Sequence, residues 1–407
     1  MRILFIDRYF YPDKQATACL LTDLAERLTK KHKITVCCGY PLLTKHKIGY
    51  KYFLRREEYK DIAIFRIISM QLNKENKLCR WFNYLSFIFT VSLFVLFIEP
   101  PDLAVVMTSP PLVGISAYIL KKIKKVPYLY ICQDIIPESA LGAGIIGRKS
   151  FLRYFINFLN VRIMKNAIKV VALGEKMRQR LKDKGLGFSK IEIIPNWTNA
   201  ALVKVLPKDN LFSRQYKLQD KFVVLYAGNL GLSHNLEDLI FAADKLRDFP
   251  DIFFLMVGEG SAKKRIMDLS VQLGLKKIIF LPFREPEEMN EVLACADVSV
   301  VMLKKGLSGF VVPSRIYSIL ASARSVLGVV DEDSEIAQII KEANCGEVVE
   351  PGKPILLSEC ILKLYRNRAL LKEYAQNAFN YACRTNFKES SLTKYEELID
   401  NLIKSKC

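Results

Sequence analysis

The chain has 407 residues, enough for two or three domains. At 51% hydrophobic and 25% charged, with 19 Gly and 16 Pro, it is not disordered, collagen-like or low-complexity. The net charge of +19 is unevenly spread: residues 1–200 hold 33 Lys+Arg against 15 Asp+Glu, and the remainder holds 28 against 27. A basic first half implies an anionic partner there: a membrane surface, a nucleic acid or a phosphate-bearing substrate. The ten cysteines form no C-x-x-C pair and there are only three histidines, so no zinc spacing exists. Reduced, buried thiols in a cytosolic protein are expected.

Short apolar runs alternate with helical patterns from the first residues. Strands are expected at residues 3–6, 34–38, 62–67, 103–107, 128–132, 169–172 and 191–194. Helical patterns at about 16–31, 111–124, 150–165 and 175–184 lie between them. Continuous apolar strands separated by helices of this length mean a parallel sheet covered on both faces. Residues 81–98 carry no charge and have the length of a marginal membrane span. A crossing there would part residues 1–80 from strands of the same sheet. A buried or membrane-dipping helix is therefore preferred to a span. Within residues 40–60, Lys45, Lys47, Lys51, Arg55, Arg56 and Lys60 mix with Tyr40, Tyr50, Tyr52, Phe53 and Tyr59. That mixture suits a lipid headgroup layer, or a solvated loop.

The pattern breaks at Ile194-Pro195-Asn196-Trp197-Thr198-Asn199. A second series of strands follows at residues 222–227, 252–257, 277–280, 298–302, 326–330 and 347–349. The fold class is α/β, with doubly wound parallel-sheet domains at 1–200 and 201–385 and a closing helix in 386–407.

Ligands of open parallel sheets bind beyond the carboxyl ends of the strands, so the residues after each strand carry the function. After the first strand comes Asp7-Arg8-Tyr9-Phe10-Tyr11-Pro12-Asp13-Lys14-Gln15-Ala16-Thr17. It has no glycine, which opposes a dinucleotide site. Gln133-Asp134-Ile135-Ile136-Pro137-Glu138-Ser139 and Gly142-Ala143-Gly144 follow residues 128–132. Asp134 could orient or deprotonate an acceptor hydroxyl, or merely cap a helix. In the second series, Gly228-Asn229-Leu230-Gly231 and Gly258-Glu259-Gly260 each end a strand, where backbone N–H groups can approach an anion. Pro313-Ser314-Arg315 opens a helix, with Arg315 suited to a diphosphate. Asp331-Glu332-Asp333-Ser334-Glu335 opens another, and its acidic run reads as a cap. His234 stands between a glycine turn and a helix, where it meets either a phosphate or solvent. His32 is expected at the surface and His46 in the basic loop.

Together these segments resemble the retaining family 4 glycosyltransferases of GT-B fold, especially those that build bacterial capsule, O-antigen and exopolysaccharide units. The resemblance rests on Tyr9-Phe10-Tyr11-Pro12, the Gln133–Ser139 segment, Pro195-Asn196-Trp197, both glycine turns, Ala296-Asp297-Val298 and Val312-Pro313-Ser314-Arg315. It implies two Rossmann-like domains facing across a cleft, with the final helix crossing back onto the first. It implies a nucleotide-sugar donor, usually a UDP-sugar, held by Gly228, Asn229, Gly231, His234, Gly258, Glu259, Pro313, Ser314, Arg315 and Glu335. Asp134 would be catalytic, and Tyr11, Lys14, Gln133 and Glu138 would meet the acceptor. That acceptor would be a polyprenyl-diphosphate-linked saccharide at the anionic face of the inner membrane. No metal or other cofactor is expected. The family's Glu-x7-Glu pair is absent, its positions falling at about Phe310 and Ser318. The usual diphosphate-binding Arg and Lys fall near Asn229 and His234, and the Gly-Gly of the first loop is Gln15-Ala16. Gln133 stands where the family has His. The missing pair leaves a second reading open, a non-catalytic subunit that binds lipid or a partner enzyme. A UDP-sugar epimerase is a further rival; a nucleic-acid partner has no motif behind it.

Overall fold

The computed structural model describes residues 1–41, 53–72, 77–142, 151–198 and 203–404. The described residues form two compact units. One contains the chain up to Asn196, Gly142 apart, together with the chain from Ser391 onward; the other runs from Trp197 to Ser390.

The first unit is an eight-stranded sheet of β1 (Arg2–Ile6), β2 (Lys33–Gly39), β3 (Leu54–Tyr59), β4 (Ile62–Ile67), β5 (Leu103–Met107), β6 (Tyr128–Ile131), β7 (Lys169–Ala172) and β8 (Ile191–Ile193). Its order is β3-β4-β2-β1-β5-β6-β7-β8, with every pair parallel except β3 on β4. All five residues of β5 are buried, as expected of a central strand covered on both faces. Strand β3 corrects the expected loop: residues 54–59 form an ion-paired edge strand. Arg55 pairs with Glu57 and Lys60 with Glu26, and the Tyr59 hydroxyl donates to Glu26. Charge along an edge discourages pairing with another sheet. Lys45, Lys47, Lys51, Tyr50, Tyr52 and His46 lie outside the described residues.

The apolar segment forms the helix Lys77–Phe97, and no described helix is long and apolar enough to cross a membrane. One face buries Phe87, Ile88, Val91 and Val95. The other exposes Phe82, Leu85, Phe89, Leu93 and Phe97, three or four residues apart and so on one stripe. Helix Gly114–Lys124 packs beside it and helix Phe151–Asn166 packs on Gly114–Lys124; the latter of the two exposes Phe151, Tyr154, Phe155 and Phe158.

The second unit has β9 (Phe222–Ala227), β10 (Ile252–Val257), β11 (Ile278–Leu281), β12 (Val298–Met302), β13 (Ser325–Val329) and β14 (Gly346–Val349). Its order is β11-β10-β9-β12-β13-β14, all parallel. In each sheet the strand order reverses once beside the first strand, between β1 and β5 and between β9 and β12. Such switch points are where open sheets hold ligands.

From Ser391 the last helix, Phe387–Lys404, belongs to the first unit. Its buried stripe is Ser391, Leu392, Tyr395, Ile399 and Leu402. Ser391 donates to the Pro195 carbonyl, and Glu396 pairs with Arg27 and Lys31. His32 is not a surface residue: its side chain is 7% exposed and its Nε2 lies 3.3 Å from Asp400. The nine described cysteines are free, but only Cys37, Cys38, Cys132, Cys295 and Cys345 are buried, with Cys19 and Cys383 exposed.

Candidate functional site

At the switch point of the second sheet, β9 runs into Gly228, whose φ of 140° favours glycine. Gly258 ends β10, and a Cβ there would lie 1.9 Å from the Gly228 carbonyl oxygen. The turns are bonded together through backbone. Gly228 N donates to Val257 O and Leu230 N to Glu259 O, both at 2.8 Å, and Gly258 N donates to Leu281 O at 2.9 Å. This corrects the expectation of free amides: those of Gly228, Leu230 and Gly258 are already committed. The glycines let two turns approach, and the charge for a ligand has to come from a side chain.

Arg315 supplies it. Its guanidinium is close enough to Gly228 that a Cβ there would meet Cζ at 3.0 Å. It lies over the Tyr226 ring, 4.3 Å from the centroid, while the Tyr226 hydroxyl donates to Asn229 O at 2.8 Å. Tyr226 thereby fixes both the cation and the turn. Arg315 Nη1 is buried and has no hydrogen-bond partner among the described residues. A buried guanidinium nitrogen without an acceptor is costly, and at a switch point it marks a place for an anion. Pro313 and Ser314 precede the helix Arg315–Ala321, and Ser314 makes no capping side-chain bond. That helix has seven residues, so the arginine side chain rather than the helix end carries the positive charge. Beneath it a cavity of about 30 Å³ is lined by Leu225, Ala227, Ser299, Arg315 and Ser318. Ser299 Oγ is also buried without a partner, so this pocket has room and polar groups for water.

His234 is 6% exposed and Nδ1 lies 3.0 Å from the Met302 carbonyl at the end of β12. Burial, aided by Arg315, lowers its pKa to about 3. It is therefore neutral, with Nδ1 donating and Nε2 left as an acceptor. A positively charged phosphate ligand at His234 does not follow, and nor does a surface loop. Asn229 packs its side chain against Gly231 and Gly260. Glu259 pairs with Lys263 at 2.6 Å on the exposed side. Glu335 is buried in the first turn of the helix Glu335–Ala343 and acts electrostatically on Tyr317, two residues beyond Arg315. Ser334 caps that helix, whereas Asp331 accepts from Gly306 N. The acidic run is thus not the cap.

In the first unit Asp134 follows β6. Its side chain makes no hydrogen bond or ion pair among the described residues, and burial raises its carboxyl to about 6. A carboxylate poised there can take a proton near neutral pH. Thr108, after β5, accepts from Gln133 N at 2.7 Å and Asp134 N at 3.5 Å, so it holds the loop. Gln133 and Asn196 exchange both amide bonds, at 3.1 and 2.7 Å. Glu138 is engaged by Lys184 at 2.8 Å, with Asn157 as the lysine's second partner. It is held within the fold rather than offered outward. Tyr11 is exposed and stacks on Tyr59, ring centroids 3.8 Å apart, and Lys14 is exposed nearby. Gly142 ends a short helix, and residues 143–150 are outside those described. Sequence reasoning missed Tyr226, Thr108 and the Met302 carbonyl, none of which belongs to a motif.

Comparison with known proteins identifies the second unit. Residues 208–381 match the family model of glycosyl transferases group 1. The chain carries a glycosyltransferase group 1 domain. It is a transferase enzyme of GT-B fold. It is 24% identical over 407 residues to the putative colanic acid biosynthesis glycosyl transferase WcaI of Escherichia coli K12, covering 97% of this chain and 98% of that one. It is 24% identical over 261 residues to the probable glycosyltransferase WbjE of Pseudomonas aeruginosa, covering 64% and 65%. Among solved structures, Anabaena HepE in complex with UDP-glucose is similar at a TM-score of 0.76 and 17% identity, over 98% of this chain and 100% of that one. The chain thus shares its fold with a protein crystallised with UDP-glucose.

Proposed function

We propose that this glycosyltransferase moves a sugar from a UDP-sugar to a lipid-linked, diphosphate-bearing saccharide in the assembly of a bacterial surface polysaccharide, with retention at the anomeric carbon. The observation that carries the donor half is the buried Arg315 Nη1, without a hydrogen-bond partner among the described residues, beside Gly228 at the switch point of the group 1 domain. The names of WcaI and WbjE and the UDP-glucose of HepE support the class of reaction and donor. In the reaction the acceptor oxygen bonds to the anomeric carbon on the same face from which the UDP oxygen departs, so the configuration is kept. The electron pair leaves on the β-phosphate, where Arg315 offsets the growing charge. The hydroxyl proton passes to Asp134, which is ionised above its pKa of about 6. Arg315 takes the charge-balancing role here.

The membrane enters through the first unit. The exposed phenylalanines of Lys77–Phe97 and Phe151–Asn166 flank a helix with exposed Lys122 and Lys125. Apolar side chains beside lysines suit a peripheral contact with anionic lipid. The deciding experiment is a panel of UDP-sugars scored for thermal stabilisation, hydrolysis and transfer to a lipid-diphosphate sugar. Stabilisation with transfer supports the proposal, whereas UDP binding without any turnover favours the non-catalytic subunit, for which the absent glutamate pair at Phe310 and Ser318 speaks. No response to any UDP-sugar overturns the donor assignment.

A further inference from the structure

We infer that Arg8 is an anion receptor in the first unit that takes the phosphate of a diphosphate-bearing acceptor; this rests on the acceptor reading proposed above. Arg8 is the second residue after β1, at the β1/β5 switch point, and is only 3% exposed. Its Nη1 is buried with no hydrogen-bond partner, and it forms no ion pair among the described residues. Two rings lie beside the guanidinium, Tyr9 at 5.8 Å and Tyr84 at 5.4 Å.

The same sheet contains a control. Arg66 is 1% exposed, yet it donates to Glu57 at 3.0 Å, Cys38 Sγ at 3.2 Å, Gly39 O at 3.5 Å and the Tyr11 carbonyl. A structural arginine in this fold is thus saturated, and Arg8 is not. Asp7 does not act as its counter-ion. It is fully buried, accepts from Tyr9 N, and burial holds its carboxyl far above the usual range. Leaving a guanidinium buried and uncompensated is costly unless an oxyanion completes it, and the planar fork matches phosphate.

The placement specifies which phosphate. The Arg8 carbonyl accepts from Gly39 N at 3.0 Å, and a Cβ on Gly39 would press on that oxygen at 3.1 Å, so the backbone beneath the arginine is set. Tyr84 belongs to the helix whose outer stripe is Phe82, Leu85, Phe89, Leu93 and Phe97. A phosphate on Arg8 therefore sits at the root of an apolar face that can follow a lipid tail. One strand, β5, separates β1 from β6, so the strands that lead into Arg8 and Asp134 lie about 10 Å apart, on the scale of one sugar residue.

Thermal unfolding of the full chain tests this with farnesyl diphosphate, inorganic pyrophosphate, phosphatidylglycerol vesicles and UDP. Farnesyl diphosphate should raise the midpoint of the wild type, raise Arg8→Lys less and leave Arg8→Met unmoved. UDP should raise all three alike. Without ligand, Arg8→Met should melt no lower than the wild type, because an apolar chain of similar length relieves an unpaired charge. A response to farnesyl diphosphate above that to pyrophosphate and to vesicles assigns the anion to a lipid-linked diphosphate. Equal responses to all three overturn that assignment. Equal stabilisation of wild type and Arg8→Met, stabilisation of neither, or an Arg8→Met that melts far lower overturns the receptor. If UDP moves no variant while the Arg8-dependent shift persists, the donor reading fails and the receptor stands.

Discussion

At the carboxyl edge of the second sheet, polar groups are mostly backbone: two glycine turns bonded to each other, a neutral histidine and one arginine over a tyrosine ring. The corresponding edge of the first sheet gathers ionisable side chains, with Asp7, Arg8 and Arg66 buried and Asp134 and the Glu138–Lys184 pair half-buried. The difference teaches that net charge and local chemistry separate. The basic excess of residues 1–200 is not a positively charged site. It includes exposed Lys122 near the end of the helix Gly114–Lys124 and exposed Lys125 just after it, while Asp7, Arg8 and Arg66 lie buried. The donor edge holds a histidine that burial keeps neutral, and the other holds Asp134, whose charge can change near pH 6.

The largest test of that contrast removes Asp134. Asp134→Asn should lower sugar transfer about 10²–10⁴-fold, the usual worth of a general base. UDP affinity measured by calorimetry should stay as in the wild type. The wild-type kcat/KM should rise with pH through about 6 and level off above it. Burial raises this carboxyl, so the native state holds its proton longer than the unfolded chain. The associated stability is full below about pH 4 and is lost as pH rises through about 6. Asp134→Asn should therefore melt slightly higher than the wild type at pH 7.5. Undiminished transfer would break the comparison on the acceptor side.

Arg315→Ala comes next. Losing charge-assisted bonds to a diphosphate should weaken UDP binding about 10–100-fold, on the order of 1.5–3 kcal/mol. Arg315→Lys should recover part of it, since a lysine keeps the charge but not the fork. An unchanged UDP affinity would mean the glycine turns act alone.

A smaller effect separates surface from site. Phe89→Ser with Phe97→Ser should reduce sedimentation with phosphatidylglycerol vesicles about tenfold, since each exposed ring forfeits part of its ~1.5–3 kcal/mol of burial. UDP binding should not change. Vesicle binding that is equal in both proteins removes the membrane role from that stripe.

Much of the fold was legible because parallel strands are continuous apolar runs: residues 62–67, 103–107, 222–227 and 298–302 form strands over those bounds. Strand β3 was not, because an edge strand of Leu-Arg-Arg-Glu-Glu-Tyr has no apolar alternation and is held by cross-strand pairing and by charges such as Arg66 on Glu57. The glycine turns were legible as motifs, but their amides serve each other, which depends on where a second strand ends. Tyr226 and Arg8 were hidden for a related reason. A tyrosine inside a strand and an arginine just after one look ordinary until burial and missing partners are seen, and both follow from contacts distant in sequence. Asp134 was legible because a carboxylate at a strand end is a local feature, though its raised pKa was not.

The smallest effect lies with His234, and it sharpens the comparison most economically. Burial holds its imidazole neutral down to about 3, whereas the unfolded chain titrates near 6.5. Between those values the unfolded state binds more protons, so this histidine costs stability as pH falls below about 6.5 and nothing above it. Urea unfolding of the wild type and His234→Gln should show their difference shifting against the wild type by on the order of 1 kcal/mol between pH 7.5 and 5.5. Affinity for a UDP-sugar, whose esterified diphosphate has no ionisation near neutral pH, should not change between pH 6 and 8 on account of His234, which stays neutral throughout. An inflection in transfer near pH 6 then belongs to Asp134. If His234→Gln abolished that inflection, the titrating group would lie on the donor side and the division between the two sheets would be reversed.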